Sequence, residues 1–316
     1  MNDSQGPIPA ARRALALVNK QASSSEVQAE WLSLFEESGG LVVATSNSTE
    51  LAEAFAEAER QQRNRLIVVG GDGSISRVAN DLGRDVGRFE LSLIPAGTGN
   101  DLARSLGIPI DDPAQAWNIA LNGAARPIDM IAIGGADRLF VNVATAGFGG
   151  RQAAEAAREQ KSYLGQLAYW LSAASQLGDM PEYEVALTID GQVQSLRCLG
   201  FWIANGCYVG GGFPAASHAV IDDGLLDIVA IPALPALELL SAGVDFALIG
   251  PEQSEWIVNL KASAVSVATI PAMPYSIDGE PYETDALECH VLPKSLKVVA
   301  GALSPALSSG VAADRG

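Results

Sequence analysis

A chain of 316 residues has room for one large or two ordinary domains, and 48% hydrophobic against 18% charged residues is the composition of a folded globular protein. The formal net charge of -17 excludes the basic surface that nucleic-acid binding requires, and it opposes electrostatic attachment to anionic lipid. Three cysteines without a CxxC spacing indicate a reduced, cytoplasmic setting.

Residues 1–127 alternate between short apolar runs and helical patterns. Strands buried on both faces are predicted over 14–18, 41–44, 66–69 and 91–94. Helices are predicted over 49–61, over 113–121 and from about residue 26, where Val27, Trp31, Leu34 and Phe35 share one face. This alternation predicts a doubly wound α/β domain, in which ligands collect at the carboxyl ends of the strands.

From residue 128 the pattern changes to short β-rich runs separated by turn residues. The runs at 128–133, 139–143, 185–189, 199–204, 225–231, 264–268 and 287–291 predict a mostly antiparallel β-sandwich over 128–300. A helical insert over 151–177 and one or two helices over 235–248 interrupt it. The small residues of 301–316 predict a flexible tail.

An apolar run ends in a glycine cluster at 70–74, directly before a helical pattern at 75–82. Gly70, Gly71 and Gly73 permit positive φ and put no Cβ in the way of a ligand, and the helix directs free N–H groups at an anion. Asp72 lies among these donors, where it can handle a metal ion or a proton. Because no Gly-Lys-Ser/Thr follows, the loop is not a Walker loop, but it predicts a phosphate site.

A second glycine turn, residues 97–101, follows the next predicted strand and opens another helix. Thr98 can donate to a phosphate, and Asn100 and Asp101 can bind a base, a ribose or a metal ion. Either loop alone is also explained by ordinary turn chemistry. Two such loops on successive strands of one sheet favour a nucleotide as the ligand.

The second half of the chain holds carboxylates on two turns. Asp278-Gly279 is first a hairpin signal, although a carboxylate on such a turn can also accept a proton from a substrate hydroxyl. Asp223 with nearby carbonyls can hold a hard cation, although Asp222-Asp223-Gly224 is also a common turn. The glycines of 210–212 allow close approach of a ligand or simply form a wide loop.

Together these segments resemble the diacylglycerol kinase catalytic-domain family, which includes bacterial soluble lipid kinases and sphingosine kinases. The similarity covers nearly the whole chain. Residues 68–80 are similar to the family's GGDGT loop and following helix, and 93–109 match its second signature closely. Further similar segments lie at 142–149, 210–216, 223–227 and 278–280. The GGDG loop is shared with NAD kinases and phosphofructokinases, whereas GTGND with a downstream DGE selects lipid kinases.

The resemblance implies an NAD-kinase/phosphofructokinase-like nucleotide domain over 1–127, a β-sandwich lipid-substrate domain over 128–300, and an active site between them. ATP would be the phosphoryl donor. Glu280 would be the general base on the lipid hydroxyl, and Asp72 would help position nucleotide and magnesium. A supporting Mg²⁺ would bind Asp223 and the carbonyls of Val220 and Leu225. The nucleotide contacts that the resemblance implies are Asn19, Thr45, Gly70, Gly71, Asp72, Gly73, Ser74, Ile75, Ser76, Gly97, Thr98, Asn100 and Asp101.

The expected reaction is transfer of the γ-phosphoryl group of ATP to a lipid hydroxyl, with diacylglycerol giving phosphatidate as the first choice. The alternatives are another acceptor (a sphingoid base, phosphatidylglycerol or a soluble metabolite such as NAD) and a non-catalytic binding relative. We expect a cytoplasmic protein that contacts the inner face of the membrane transiently, with a homodimer as one possible assembly and no nucleic-acid partner.

The chain departs from the family pattern at four places. Ser74 replaces a threonine, Ser76-Arg77 stands where Asn-Glu is common, Asn19 is not followed by proline, and 235–248 lacks basic residues. These departures keep the non-catalytic alternative open, whereas Asp72, Asn100, Asp101 and Glu280 favour activity.

Overall fold

The computed structural model describes residues 10–20, 26–134, 138–147, 181–189, 191–248, 253–284, 286–302 and 304–308. The chain forms two compact units. Unit 1 runs to Ile128 and also takes Ser295–Ser304, and unit 2 comprises Asp129–Lys294 with Pro305–Gly316. The predicted helical insert over 151–177 lies outside the described residues. Among those residues, no helix has the length and apolarity needed to cross a membrane.

Unit 1 is an α/β domain with a parallel sheet, as the strand and helix alternation predicts. The sheet order is β4-β3-β1-β2. Two 3-10 segments, Ala10–Arg13 and Gly83–Arg88, flank the regular elements. The elements are β1 (Ala14–Asn19), α1 (Glu26–Glu37), β2 (Leu41–Thr45), α2 (Ser48–Arg60), β3 (Arg65–Gly70), α3 (Asp72–Leu82), β4 (Glu90–Pro95), α4 (Asp101–Ser105) and α5 (Pro113–Asn122).

Burial in unit 1 follows the sequence pattern except at the edge of the sheet. Every residue of β3 is buried, because this strand lies inside the sheet. Strand β2 is the edge strand, and the prediction that it is buried on both faces is wrong, since Ala44 is exposed. In α1, Phe35 is buried against Trp117, with the ring centroids 5.5 Å apart, whereas Leu34 is exposed.

Unit 2 is the predicted β-sandwich, built from mostly antiparallel strands. The long strand β9 changes partners along its length: its first half pairs with β8, and its second half pairs with β7 and β10. The elements are β5 (Ala125–Ile133, which begins in unit 1), β6 (Arg138–Phe140), β7 (Val143–Gly147), β8 (Tyr183–Ile189), β9 (Gln192–Ala204), β10 (Leu226–Pro232), α6 (Ala236–Leu248), β11 (Val258–Ala262), β12 (Ala264–Ile270), β13 (Tyr275–Ile277), β14 (Glu280–Tyr282) and β15 (Ala286–Val299).

Two strands of unit 2 differ from the prediction. The single run predicted at 139–143 is two strands, β6 and β7, with a break at Val141 and Asn142. Strand β15 continues well past residue 291, and within unit 1 its end pairs in parallel with β4, Val298 opposite Leu91. The core of the sandwich holds buried side chains of several strands, among them Leu187 of β8 and Cys198, Phe201 and Ile203 of β9.

Candidate active site

The first glycine loop is the start of α3. The helix begins at Asp72, three residues earlier than the apolar pattern predicts, and its N-cap is Gly71, which has no side-chain cap. The N–H groups of Ser74 and Ile75 both bond to the carbonyl of Gly71. The N–H groups of Asp72 and Gly73 have no acceptor among the described residues. This helix N-terminus therefore keeps donors available for an anion.

The second loop is closed by its own asparagine. Asn100 is buried and left-handed, with φ of 56°. Its Oδ1 accepts a hydrogen bond from the N–H of Gly97 at 2.9 Å, and its Nδ2 donates to the carbonyl of Gly97 at 2.8 Å. The amide of Asn100 thus shapes the loop, while Gly97 and Thr98 are exposed at its tip.

The two loops touch backbone to backbone. They lie together because β3 and β4 are parallel neighbours with Gly70 opposite Pro95, and the N–H of Ala96 bonds to the carbonyl of Gly70 at 2.9 Å. A Cβ on Gly97 would lie 2.5 Å from the Cα of Gly71, closer than packed atoms allow. Glycine is therefore required at this crossing for close approach.

Asp72 joins the loops a second time. Its Oδ2 accepts from the N–H of Asp101 at 3.1 Å, and its Oδ1 accepts from the N–H of Leu102 at 2.9 Å. These are the first two residues of α4, whose N-cap Asn100 makes no side-chain cap of its own. Asp72 therefore caps α4 from the neighbouring loop.

The other predicted nucleotide contacts in unit 1 lie at the same carboxyl edge of the sheet. Asn19 and Thr45 end paired strands and are opposite each other. The Nδ2 of Asn19 is 3.4 Å from the Oγ of Ser74, so β1 and the first loop meet. Ile75 and Ser76 are buried in α3, and Asp101 is buried at the start of α4.

In unit 2, Asp278-Gly279 forms the hairpin turn that the sequence predicts. Both residues have positive φ, 47° and 87°, and Ile277 pairs with Glu280 across the turn. The buried Asp278 carboxylate accepts three backbone hydrogen bonds, each of 3.0 Å, from the N–H groups of Val141, Asn142 and Val143. Asp278 therefore holds the break between β6 and β7.

Glu280 stands apart from these contacts. It is the first residue of β14, and its side chain is exposed. Within the part of the chain that the structure describes, its carboxylate makes no hydrogen bond or ion pair. The turn therefore holds two carboxylates in different surroundings: that of Asp278 is buried and bound by backbone N–H groups, and that of Glu280 is exposed.

The predicted metal residues lie on the turn before β10. The carbonyls of Val220 and Leu225 accept no hydrogen bond from the described residues, which suits a hard cation. The Oδ1 of Asp223 accepts from the N–H of Leu225 at 3.0 Å, and its Oδ2 is 3.7 Å from the Nζ of Lys261. No group of three or more His, Cys, Asp or Glu side chains in the described ranges is arranged around a metal. One carboxylate and two carbonyls supply oxygen ligands of the kind that Mg²⁺ takes.

Asp129 adds negative charge beside this turn. Its buried carboxylate accepts from the N–H of Gly224 at 2.7 Å and from the N–H of Lys294 at 2.6 Å. Burial raises the pKa of Asp129, and the neighbouring charges of Asp223 and Asp222 raise it further, whereas the two backbone bonds lower it. Asp129 could not be found from the sequence, because an aspartate inside an apolar strand carries no motif.

The glycine loop at 210–212 is a tight turn rather than a wide one. All three glycines have positive φ. The loop is closed by reciprocal backbone bonds between Val209 and Phe213, of 2.8 and 2.9 Å. Of the similar segment at 142–149, Phe148 and Gly149 lie outside the described residues.

Two family models match the chain. Residues 13–133 match the diacylglycerol kinase catalytic domain. Residues 142–300 match the YegS C-terminal NAD kinase beta sandwich-like domain.

The chain is also similar to curated proteins and solved structures along most of its length. It is 32% identical to "Probable lipid kinase YegS-like" of Pseudomonas aeruginosa (strain UCBPP-PA14), over 93% of this chain and 95% of that protein. It is 32% identical to "Diacylglycerol kinase" of Bacillus subtilis (strain 168), over 80% of this chain and 83% of that protein. A crystal structure of a diacylglycerol kinase from Bacillus anthracis str. Sterne shares the fold, with a TM-score of 0.71, 22% identity and coverage of 92% and 98%. The chain belongs to the diacylglycerol kinase family of lipid kinases.

Proposed function

We propose that the chain transfers the γ-phosphoryl group of ATP to the hydroxyl of a membrane lipid, with diacylglycerol as the acceptor and phosphatidate as the product. The observation that carries this proposal is the junction of the two glycine loops. Gly71 and Gly97 meet there without side chains, and the N-terminus of α3 keeps unpaired N–H donors. Such a surface suits the phosphates of a nucleotide.

Phosphoryl transfer depends on alignment of donor and acceptor and on neutralisation of charge. In this proposal the first loop binds the nucleotide phosphates through backbone N–H groups, and Asn19, Thr45, Ser74 and Thr98 supply polar contacts around them. Asp72 acts by holding α4 and the second loop in place. Asn100 holds the second loop through its bonds to Gly97, and Asp101 holds it through its N–H bond to Asp72.

Glu280 accepts the proton of the lipid hydroxyl as the oxygen attacks the γ-phosphorus. The new bond joins the lipid oxygen to phosphorus, the bond to the β,γ-bridging oxygen breaks, and ADP leaves with that electron pair. The exposed carboxylate of Glu280 supports this assignment, because a general base must reach its substrate. Mg²⁺ would screen phosphate charge near the nucleotide, and Val220, Asp223 and Leu225 would hold a supporting ion.

We also propose a cytoplasmic location with transient contact at the inner face of the membrane. The acceptor lies in the bilayer, so the protein must meet it there. Helix α6 has no basic residue, and its Leu237 is 77% exposed, which favours apolar rather than electrostatic contact with lipid. A homodimer remains part of the proposal, and analytical ultracentrifugation of the full chain would test it.

The function is tested by incubating the protein with γ-labelled ATP and Mg²⁺ and a panel of acceptors. The panel contains diacylglycerol, a sphingoid base, phosphatidylglycerol and NAD, and the products are separated by chromatography. We expect label in phosphatidate. Label in NAD alone would refute the lipid-kinase assignment, and the absence of transfer to any acceptor would favour a non-catalytic binding protein.

A further inference from the structure

Arg138 is a cation that the proposed mechanism does not use. It is the first residue of β6, and its Cζ lies 5.2 Å from the centroid of the Tyr282 ring. Unit 2 has one other described arginine, Arg197, and that residue is paired with Glu182. Within the part of unit 2 that the structure describes, Arg138 forms no ion pair. An unpaired arginine is unexpected in residues 128–300, where 20 Asp and Glu residues face 8 Lys and Arg residues.

Two contacts tie the segment that begins at Arg138 to the hairpin that carries the proposed base. The Asp278 carboxylate binds the backbone at Val141–Val143, and the Tyr282 ring lies under the guanidinium of Arg138. The segments 138–143 and 278–282 therefore contact each other near both of their ends, and Glu280 lies between the two contacts in sequence. Glu280 and Tyr282 are two residues apart on β14, so their side chains leave the same face, about 7 Å apart.

The chemistry of a stacked arginine points to an anion. The tyrosine ring covers one face of the guanidinium and orients it, while the N–H donors at its edge stay available. That edge matches two oxygens of a phosphate, in a geometry that lysine does not offer. A phosphate bound at Arg138 would lie one side chain away from a hydroxyl at Glu280.

We propose that Arg138 is an acceptor-specificity residue that binds the phosphodiester of a glycerophospholipid whose headgroup carries the reacting hydroxyl. A three-carbon glycerol headgroup would bridge Arg138 and Glu280, with its phosphate on the guanidinium and its terminal hydroxyl at the carboxylate. The transfer step is the one already described, so the proton goes to Glu280 and ADP leaves. This inference rests on the proposed function and widens its acceptors beyond diacylglycerol.

The test compares two acceptors in the same neutral-detergent micelles: phosphatidylglycerol, which carries the phosphodiester, and diacylglycerol, which does not. We expect Arg138→Met to raise the KM for phosphatidylglycerol about tenfold or more, as loss of a charge-assisted hydrogen bond predicts, and to leave kcat/KM for diacylglycerol unchanged. Arg138→Lys should recover part of the loss. The matched control Arg197→Met should change neither acceptor.

A binding measurement separates this inference from the proposed function. Short-chain, soluble phosphatidylglycerol is titrated by calorimetry into the wild type and Arg138→Met, with inorganic phosphate in a parallel titration. If phosphatidylglycerol binds Arg138→Met more weakly than the wild type, but the wild type transfers no phosphoryl group to it, the kinase assignment is overturned and the Arg138 binding site is kept. Equal loss on both acceptors, an unchanged KM for phosphatidylglycerol, or binding of inorganic phosphate alone would overturn the inference.

Discussion

Asp72 is the residue on which the geometry of the candidate site depends. Its carboxylate spans 29 positions of sequence to reach Asp101, and both of its oxygens are occupied by N–H groups of α4. The GGDG pattern alone suggests a metal ligand or a proton carrier at this position. The hydrogen bonds show that the Asp72 carboxylate caps the neighbouring helix and thereby sets where the second loop lies.

We predict that Asp72→Ala abolishes phosphoryl transfer while the fold persists. The two N–H groups of α4 lose their acceptor, which lowers the free energy of unfolding by about 1–2 kcal/mol, as for a lost N-cap. Urea unfolding measures the loss of stability, and a turnover assay measures the loss of phosphoryl transfer. Asp81→Ala is the control, because Asp81 lies on the same helix, is exposed and, among the described residues, hydrogen-bonds to Ser48 alone. Full turnover in Asp72→Ala would contradict the role of Asp72.

At the scale of elements, the site depends on the register of two parallel strands. Gly70 lies opposite Pro95, and this alignment places both strand ends, and hence both loops, at one point. Each strand is followed by a loop and a helix, and the residues at which the two loops meet carry no side chain. Gly71 and Gly97 consequently approach as closely as backbone allows.

We predict that Gly97→Ala pushes the two loops apart. Its Cβ would meet the Cα of Gly71, and backbone cannot yield as a flexible side chain does. Overpacking of this kind costs about 1–3 kcal/mol of unfolding free energy, and the affinity for ATP should fall with it. Calorimetric titration with ATP measures this affinity. The control is Gly87→Ala, where the nearest atom to the new Cβ is 4.0 Å away. Equal losses of stability and ATP affinity in both variants would contradict the importance of the close approach between Gly71 and Gly97.

Periodicity predicts the elements of unit 1 well, because its strands are uninterrupted apolar runs and its helices carry apolar stripes. Periodicity does not predict an element whose position is set by a contact with a residue far away in the sequence. The break between β6 and β7 depends on Asp278, whose bond to Asn142 spans 136 residues, and no local pattern marks it. Strands β13 and β14 have three residues each, too few for an alternation to show.

The same limit applies to the candidate site. The glycine loops and the turn at Asp278 were predictable, because each is a local signal of backbone conformation. Asp129 and the stacking of Arg138 on Tyr282 were not, because each depends on which strands become neighbours.

In the whole molecule, the chain passes between its two units three times, at Ile128–Asp129, at Lys294–Ser295 and at Ser304–Pro305. One carboxylate joins the first two passages on the side of unit 2, since Asp129 accepts from the N–H of Lys294. The same carboxylate holds Gly224 in the turn that carries Asp223. Unit 2 thereby links its chain crossings to the candidate metal turn.

The packing of unit 2 predicts that its three thiols do not react in the native protein. Cys198, Cys207 and Cys289 are free and buried, and burial raises the pKa of Cys198 and of Cys289 to about 12. Because the thiolate is the reactive form, a disulfide reagent at pH 8 should titrate no thiol before unfolding and all three after it. Rapid native reaction of any of them would contradict the packing.

The role of Glu280 as the base of a lipid kinase is tested by the turnover of Glu280→Gln with labelled ATP and the lipid that the wild type phosphorylates. The substitution keeps the size of an exposed side chain without described partners, so the melting temperature should not change. Glu283→Gln, at an exposed position on the same segment, is the control and should keep full activity. We predict that kcat of Glu280→Gln falls by about 10²- to 10⁴-fold. Turnover close to the wild-type value in that variant would contradict it.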